Sequence, residues 1–449
     1  MATITSSPIY KLLRKAADKE DYKEVGRILR SLRAADRADC FRSLNAARQV
    51  DVVRHLKPKT TASILRRLPQ VEIEPLLAKL NADDLLPVLD RMAPDDAADV
   101  INALPEETAD ALLPQMHSAS LVRQLISYAD DTAGALMTTS VLTISEQATA
   151  KQALAAVRRW HKDSERLYNL FVTAPGGHLV GMVELLDLIQ ASPTNTINRF
   201  MNTEVISVHA DTDQEDCAKL LDRYDQITLP VVDDARRVLG VIAVDDLIDV
   251  LQEEADEDIA HLGGAVPLEG NYLKTSVVSM VKKRASWLIL LFLAASLTTS
   301  IIAAFEEQLA TMALLAVFIP LLIGTGGNAG AQTTTTIIRA MALGDVNYSD
   351  AVRIWFKEAR VGLLLGAVMA IMTSLLAIIM FGQPALAVTV GATIFCIVMA
   401  ATFTGAILPI AAERMGLDPT LLSGPAITTL VDSVGLLIYF SIAKLVLGI

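Results

Sequence analysis

Leu430-Val-Asp-Ser-Val-Gly-Leu-Leu-Ile-Tyr-Phe440 sets one carboxylate, Asp432, inside an apolar run covering 421–447. The nearest basic residue of that run is Lys444, three helical turns further on. An ionised side chain at membrane depth costs a few kcal/mol on insertion scales, so such residues usually line a water-filled path or pair with a cation. A carboxylate tolerated near a helix end is the plainer alternative. Asp432 is therefore read as a cation site in a membrane pore.

Working outward, four more apolar spans precede this one, at about 286–305, 312–338, 360–381 and 385–412. The second and fourth are long enough to tilt or break. Lys282-Lys-Arg284 precedes the first span. Arg339, Arg353, Lys357 and Arg360 follow the second, and Arg414 follows the fourth, whereas the loops after the first and third carry no basic residue. The bias of basic residues toward the cytoplasm predicts a cytoplasmic N-terminus and, with five spans, an external C-terminus. No charged-then-apolar leader opens the chain, which fits a soluble part kept on the cytoplasmic side of the inner membrane.

Composition divides the 449 residues in the same place. The chain is 52% hydrophobic with net charge −12, and its mean hydropathy is +0.41. Residues 1–270 carry a net −14 and residues 271–449 a net +2. An acidic soluble part joined to a membrane domain accounts for the split. The acidic surface excludes nucleic acid as a partner, since phosphates require basic patches, and suits polyvalent cations. Cys40, Cys217 and Cys396 match neither zinc spacing nor a disulfide framework.

Residues 1–132 read as an acidic, all-α, superhelical domain of short helices. Leu68-Pro69, Met92-Ala93-Pro94, Leu104-Pro105 and Leu113-Pro114 punctuate segments that begin with acids and turn apolar. From 133 to 255 an internal repeat appears: Met137-Thr-Thr-Ser-Val-Leu-Thr-Ile returns as Met201-Asn-Thr-Glu-Val-Ile-Ser-Val, with a period of 64. Each copy reads as strand, helix, two strands with a Gly-containing turn, then helix. This resembles a tandem pair of CBS domains, with bounds of 133–199 and 200–255, an α/β module that in relatives binds adenine nucleotides or ions. A connecting helix and linker over 245–270 follows, crowded with acids over 245–258 and with an apolar stripe of Leu247, Ile248 and Leu251. Like charges at helical spacing destabilise it unless counterions are present.

The second span contains Pro320-Leu-Leu-Ile-Gly-Thr-Gly-Gly-Asn-Ala-Gly-Ala-Gln-Thr-Thr-Thr-Thr336. Glycines can form a helix-packing seam, but Asn328 and Gln332 must be satisfied by protein or by a water-filled cavity. Pore lining is the preferred reading.

With these motifs in order, the whole chain resembles the MgtE family of magnesium channels and transporters, with a five-helix membrane domain over 271–449. Residues 320–332 and Ser423-Gly-Pro-Ala-Ile-Thr-Thr-Leu-Val-Asp-Ser-Val-Gly435 carry the likeness. The resemblance implies a homodimer in the lipid bilayer with a pore on its two-fold axis. Asp432 would bind hydrated Mg²⁺ there, and Pro320, Gly324, Gly327, Asn328, Gln332 and Thr429 would line the pore. It also implies closure by cytosolic Mg²⁺ bound among Asp95, Asp99, Asp213, Glu215, Asp225, Asp246, Asp249, Glu254, Glu257, Asp258 and Asp418. ATP is a candidate ligand of the CBS pair through Asp187, although Leu186 stands where ATP-binding relatives carry Arg. Gly424 stands where relatives often carry Asn. No Walker loop or Ser/His/Asp grouping supports an enzyme. The alternative functions are a Na⁺- or H⁺-coupled carrier of Mg²⁺, Co²⁺ or Mn²⁺, and a tethered sensor through which nothing permeates.

Overall fold

The computed structural model describes residues 8–160, 169–268, 272, 275–422 and 424–448, in two units, Met1–Glu254 and Ala255–Ile449. Ser423 and linker residues 269–270, named above, lie outside the described residues.

The first unit begins with ten short helices between Pro8 and Ile126. Pro58 and Pro94 open their helices and Pro69 and Pro105 cap theirs, whereas Pro75 and Pro87 lie inside theirs. Asp21 and Asn45 cap two others by accepting bonds from the backbone N–H groups of Glu24 and Arg48. Leu13, Val25, Leu29, Phe41, Ile64, Leu77, Leu85 and Leu89 fill the core. One ion pair recurs along the stack: Arg42–Glu72 at 2.9 Å, Arg54–Asp84 at 3.2 Å and Arg66–Asp96 at 3.5 Å. Each arginine meets an acid three helices further on, and successive pairs advance by one helix. The short-period punctuation of the sequence thus corresponds to a superhelical stack, the expected all-α architecture.

Two three-stranded sheets follow. Thr143–Ser145 runs parallel to Asn169–Thr173, which is antiparallel to Leu179–Glu184. The second copy repeats this with Val208–His209, Thr228–Val232 and Val238–Ala243. Both copies break register at equivalent places, between Val172 and Thr173 and between Val231 and Val232. The repeated methionines exchange partners. A Cβ on Gly181 of the first copy would lie 2.7 Å from Sδ of Met201, which opens the second copy. One on Gly240 of the second copy would lie 2.8 Å from Sδ of Met137, which opens the first. Each glycine permits this close cover, and the swap joins the copies about a pseudo-two-fold axis.

The helix Val244–Leu262 confirms the long acidic helix but corrects its apolar stripe. Leu247 and Val250 are buried, whereas Ile248 and Leu251 are 57% and 45% exposed. Positions three apart share a helix face, and this pair meets the core of the first unit.

Among the described residues of the second unit, five helices are long and apolar enough to cross a membrane: Val277–Ala304, Leu314–Ala342, Tyr348–Phe381, Pro384–Arg414 and Gly424–Leu447. The first starts nine and the third twelve residues earlier than the hydropathy suggested, so Lys282, Lys283, Arg284, Arg353, Lys357 and Arg360 lie within helices. Long basic side chains at a helix end reach back to water, so charge there does not end the helix. The second and fourth helices run unbroken through Pro320 and Pro409. The fourth is the most buried and the first the least. Polar bonds tie the bundle: Tyr439 Oη donates to Leu315 O at 2.9 Å, Thr334 Oγ1 to Gly405 O at 3.1 Å, and Ser433 Oγ and Thr298 Oγ1 lie 2.8 Å apart.

Candidate ion path and acidic cation site

Asp432 stands in mid-course of the fifth membrane helix, half-buried, and its side chain has no hydrogen-bond or ion-pair partner among the described residues. The second helix passes beside it. A Cβ on Gly327 would lie 3.1 Å from Thr428 Cγ2 and 3.6 Å from Asp432 Oδ1. Gly327 is buried, so its part is the close helix approach weighed above as the alternative. Gly326 and Gly330 likewise pack on Val431 and Ile427.

Pro320, Gly324, Asn328 and Gln332 differ. Spaced by four residues, they share one face of the second helix, and all four are exposed in the single chain. The amides of Asn328 and Gln332 have no partner among the described residues. Thr429 is half-buried and returns its hydroxyl to Pro425 O at 2.9 Å. A Cβ on Gly424 would meet Leu262 O at 3.7 Å and Ala331 Cβ at 3.8 Å, both ordinary contacts, so a side chain would fit there.

In the first unit a cavity of 810 Å³ gathers Asp95, Asp99 and Asp246 with Asp96, Asp130 and Asp131. Arg66 is the one basic residue in its lining. Burial raises the Asp96 carboxyl despite the adjacent Arg66 and Arg67. Asp99 keeps contact with the water of the cavity, yet surrounding protein, then Asp96 and Asp130, push its carboxyl up to about 6. Gln214 extends the cluster: its Nε2 donates to Glu254 Oε1 at 2.8 Å and to Asp131 Oδ1 at 3.3 Å. Among the described residues, no three such groups converge at direct-ligand distance. A cavity of this size and charge suits an ion that keeps its water shell, as Mg²⁺ does.

A second meeting occurs in the second unit. His261, near the end of the connecting helix, lies with Nε2 3.7 Å from Glu257 Oε1 and Nδ1 3.4 Å from Asp418 Oδ2. Asp418 also accepts from the Thr420 N–H at 2.8 Å. Gly264 follows against Trp287 of the first membrane helix and Pro425.

The remaining expected acids are not drawn into these groups. Asp213 caps the helix Gln214–Arg223, accepting from Glu215 N, and Glu215 pairs with Lys219 at 2.9 Å. Asp225 adopts positive φ after that helix, and Asp249 and Asp187 are exposed. Asp258 is half-buried on the connecting helix. Sequence reasoning missed Asp96, Asp130, Asp131, Gln214 and His261. The paired acids Asp95-Asp96 and Asp130-Asp131, and the four-residue step from Glu257 to His261, were the available signals.

Comparison with known proteins agrees with this layout. The pattern of the divalent cation transporter family MgtE matches residues 319–442, that of the MgtE intracellular N domain matches 32–131, and CBS domains match 133–194 and 197–253. The magnesium transporter MgtE of Thermus thermophilus is 40% identical over 326 residues, covering 73% of this chain and 72% of that protein. That of Bacillus subtilis is 35% identical, covering 72% and 71%. Among solved structures, the soluble part of a magnesium transporter aligns with TM-score 0.51 and 29% identity, covering 55% of this chain and 98% of the other. The cytosolic domain of the Mg²⁺ channel MgtE in complex with ATP aligns with TM-score 0.51 and 30% identity, covering 54% and 99%. The chain belongs to the MgtE family of magnesium transporters.

Proposed function

We propose that the chain conducts Mg²⁺ through a pore in which the Asp432 carboxylate holds the hydrated ion. The observation that carries this reading is the exposed face Pro320–Gly324–Asn328–Gln332 on the helix whose Gly327 backs onto that carboxylate. Unpaired amides facing lipid cost several kcal/mol each, so the face needs protein or water against it. A second copy related by a two-fold axis supplies both, placing two Asp432 carboxylates around one ion. Mg²⁺ surrenders its waters reluctantly and is commonly held by one or two carboxylates plus water. Asn328, Gln332 and Thr429 then bond that water shell, while Gly327 lets the helices meet closely.

The acid-lined cavity is the sensing site in this account. At low Mg²⁺ the repulsion among Asp95, Asp96, Asp99, Asp130, Asp131 and Asp246 holds the cytosolic region open. At high Mg²⁺ bridging ions bind the compact form and favour the closed channel by mass action. Glu257 and Asp418 form a second bridging point. In this proposal the chain divides into domains at 1–132, 133–199, 200–255, 245–270 and 271–449, with the soluble part cytoplasmic and the C-terminus external. The ATP complex of the related cytosolic domain keeps ATP a candidate ligand of the CBS pair, near Asp187.

The test is Mg²⁺ entry into proteoliposomes, followed by an enclosed Mg²⁺-sensitive dye with Na⁺ and pH gradients imposed or collapsed. Channel conduction predicts equal entry in all cases. Entry that requires one gradient indicates the coupled carrier instead.

A further inference from the structure

We propose that the cavity at the basic end of the third and fourth membrane helices is a selective site for an anionic phospholipid. The cavity measures 310 Å³, at the small end of ligand pockets. Its floor is apolar and dense, with Ala406 and Ile410 only 1% and 7% exposed. Its outer wall is open, with Val352 68% exposed. Both helices belong to the membrane-spanning set, so the outer face lies against lipid unless protein covers it.

The mouth fixes the class of lipid. Tyr348 and Trp355 stand there, the two aromatic types that settle at the headgroup level. Arg414 supplies the one charge in the lining, is exposed, and has no hydrogen bond or ion pair among the described residues. Its neighbour Glu413 turns inward, with Oε2 buried, and is not part of the lining. Arg353 leans toward Asp350 at 3.7 Å. A site with one unpaired guanidinium and no carboxylate favours a phosphate headgroup of net negative charge. Its lining holds no carboxylate to pair with the ammonium of a zwitterionic lipid. Basic pockets between membrane helices bind acidic headgroups in this way, and the apolar floor accepts the first part of an acyl chain.

Trp355 provides the readout, because the chain has only three tryptophans, Trp160, Trp287 and Trp355. In full-length protein carrying Trp160→Phe and Trp287→Phe, in nanodiscs, Trp355 fluorescence is quenched with brominated phosphatidylglycerol or brominated phosphatidylcholine at equal mole fraction. Phosphatidylglycerol should be preferred about fivefold, the factor for one basic contact at a membrane surface. Arg414→Gln should bring the ratio to about one, and Arg414→Lys should keep a preference for the anionic lipid. Equal quenching by both lipids in the parent would overturn the proposal, leaving only unselective surrounding lipid. So would a preference that survives Arg414→Gln. Loss of the preference on adding inorganic phosphate would identify a free-anion site and overturn it as well. None of these outcomes depends on whether the protein conducts Mg²⁺.

Discussion

Gly327 backs onto Asp432: a Cβ placed on the glycine would lie 3.6 Å from the carboxylate oxygen and closer still to Thr428. The second membrane helix therefore packs closely beside the Asp432 carboxylate, and a side chain at 327 presses first on Thr428, one turn before it. Gly327→Val should cost about 1–3 kcal/mol of packing and lower Mg²⁺ entry about tenfold. Dye-monitored flux together with thermal unfolding in detergent checks this. Unchanged flux in a folded variant would detach Gly327 from the path.

Asn328 tests the polar face. Asn328→Leu keeps the bulk and removes the amide. Losing one water-mediated contact of about 1 kcal/mol should cut Mg²⁺ entry about fivefold and alter the ratio of Mg²⁺ to Co²⁺ entry. If rate and ratio both match the parent, Asn328 serves helix packing alone.

Asp99 gives a pH signature. Its carboxyl is raised to about 6 by burial and by Asp96 and Asp130, so the folded form holds this proton more tightly than the unfolded chain. That stabilisation is fully present below the unfolded value near 3.9 and is lost as pH rises through about 6. Without Mg²⁺, the soluble part should therefore lose on the order of 1 kcal/mol between pH 5 and 7 from this group, the linkage being reduced by cavity water. Asp99→Asn should remove that part of the slope. Saturating Mg²⁺ should reverse the trend, because the ion binds the ionised form. Thermal melts at several pH values, with and without Mg²⁺, measure both.

The sensing account predicts the behaviour of a triple variant. Asp246→Asn, Asp249→Asn and Glu257→Gln together remove repulsion and also the bridges that close the channel. Rising Mg²⁺ should protect the linker after the connecting helix from protease in the parent as flux falls. The variant should remain cleavable and conducting. Equal protection in both proteins would place the sensing acids elsewhere.

Much of this was legible in the sequence because it rested on local patterns. The repeat from Met137 to Met201 announced two copies of one unit, and Asp432 declared itself by isolation. The long acidic helix followed from an uninterrupted run without Gly or Pro. What escaped depended on partners distant in the chain. The ladder from Arg42–Glu72 to Arg66–Asp96 needs an offset of three helices, which no short window contains. Asp130 and Asp131 are distant from Asp99 along the chain, and only the fold brings them into one cavity with it. Val250 displaced Ile248 from the buried stripe because the first unit's core, and not the helix alone, chose the face.

Asp432 carries the account, and replacing it is the most direct test. Asp432→Ala and Asp432→Asn should be assembled in proteoliposomes and compared with the parent for initial Mg²⁺ entry, with dimerisation checked by cross-linking. The account predicts that both variants fold and associate normally and that entry falls to the protein-free rate. Near-parental entry by Asp432→Ala would contradict it, since the ion would then cross without this carboxylate.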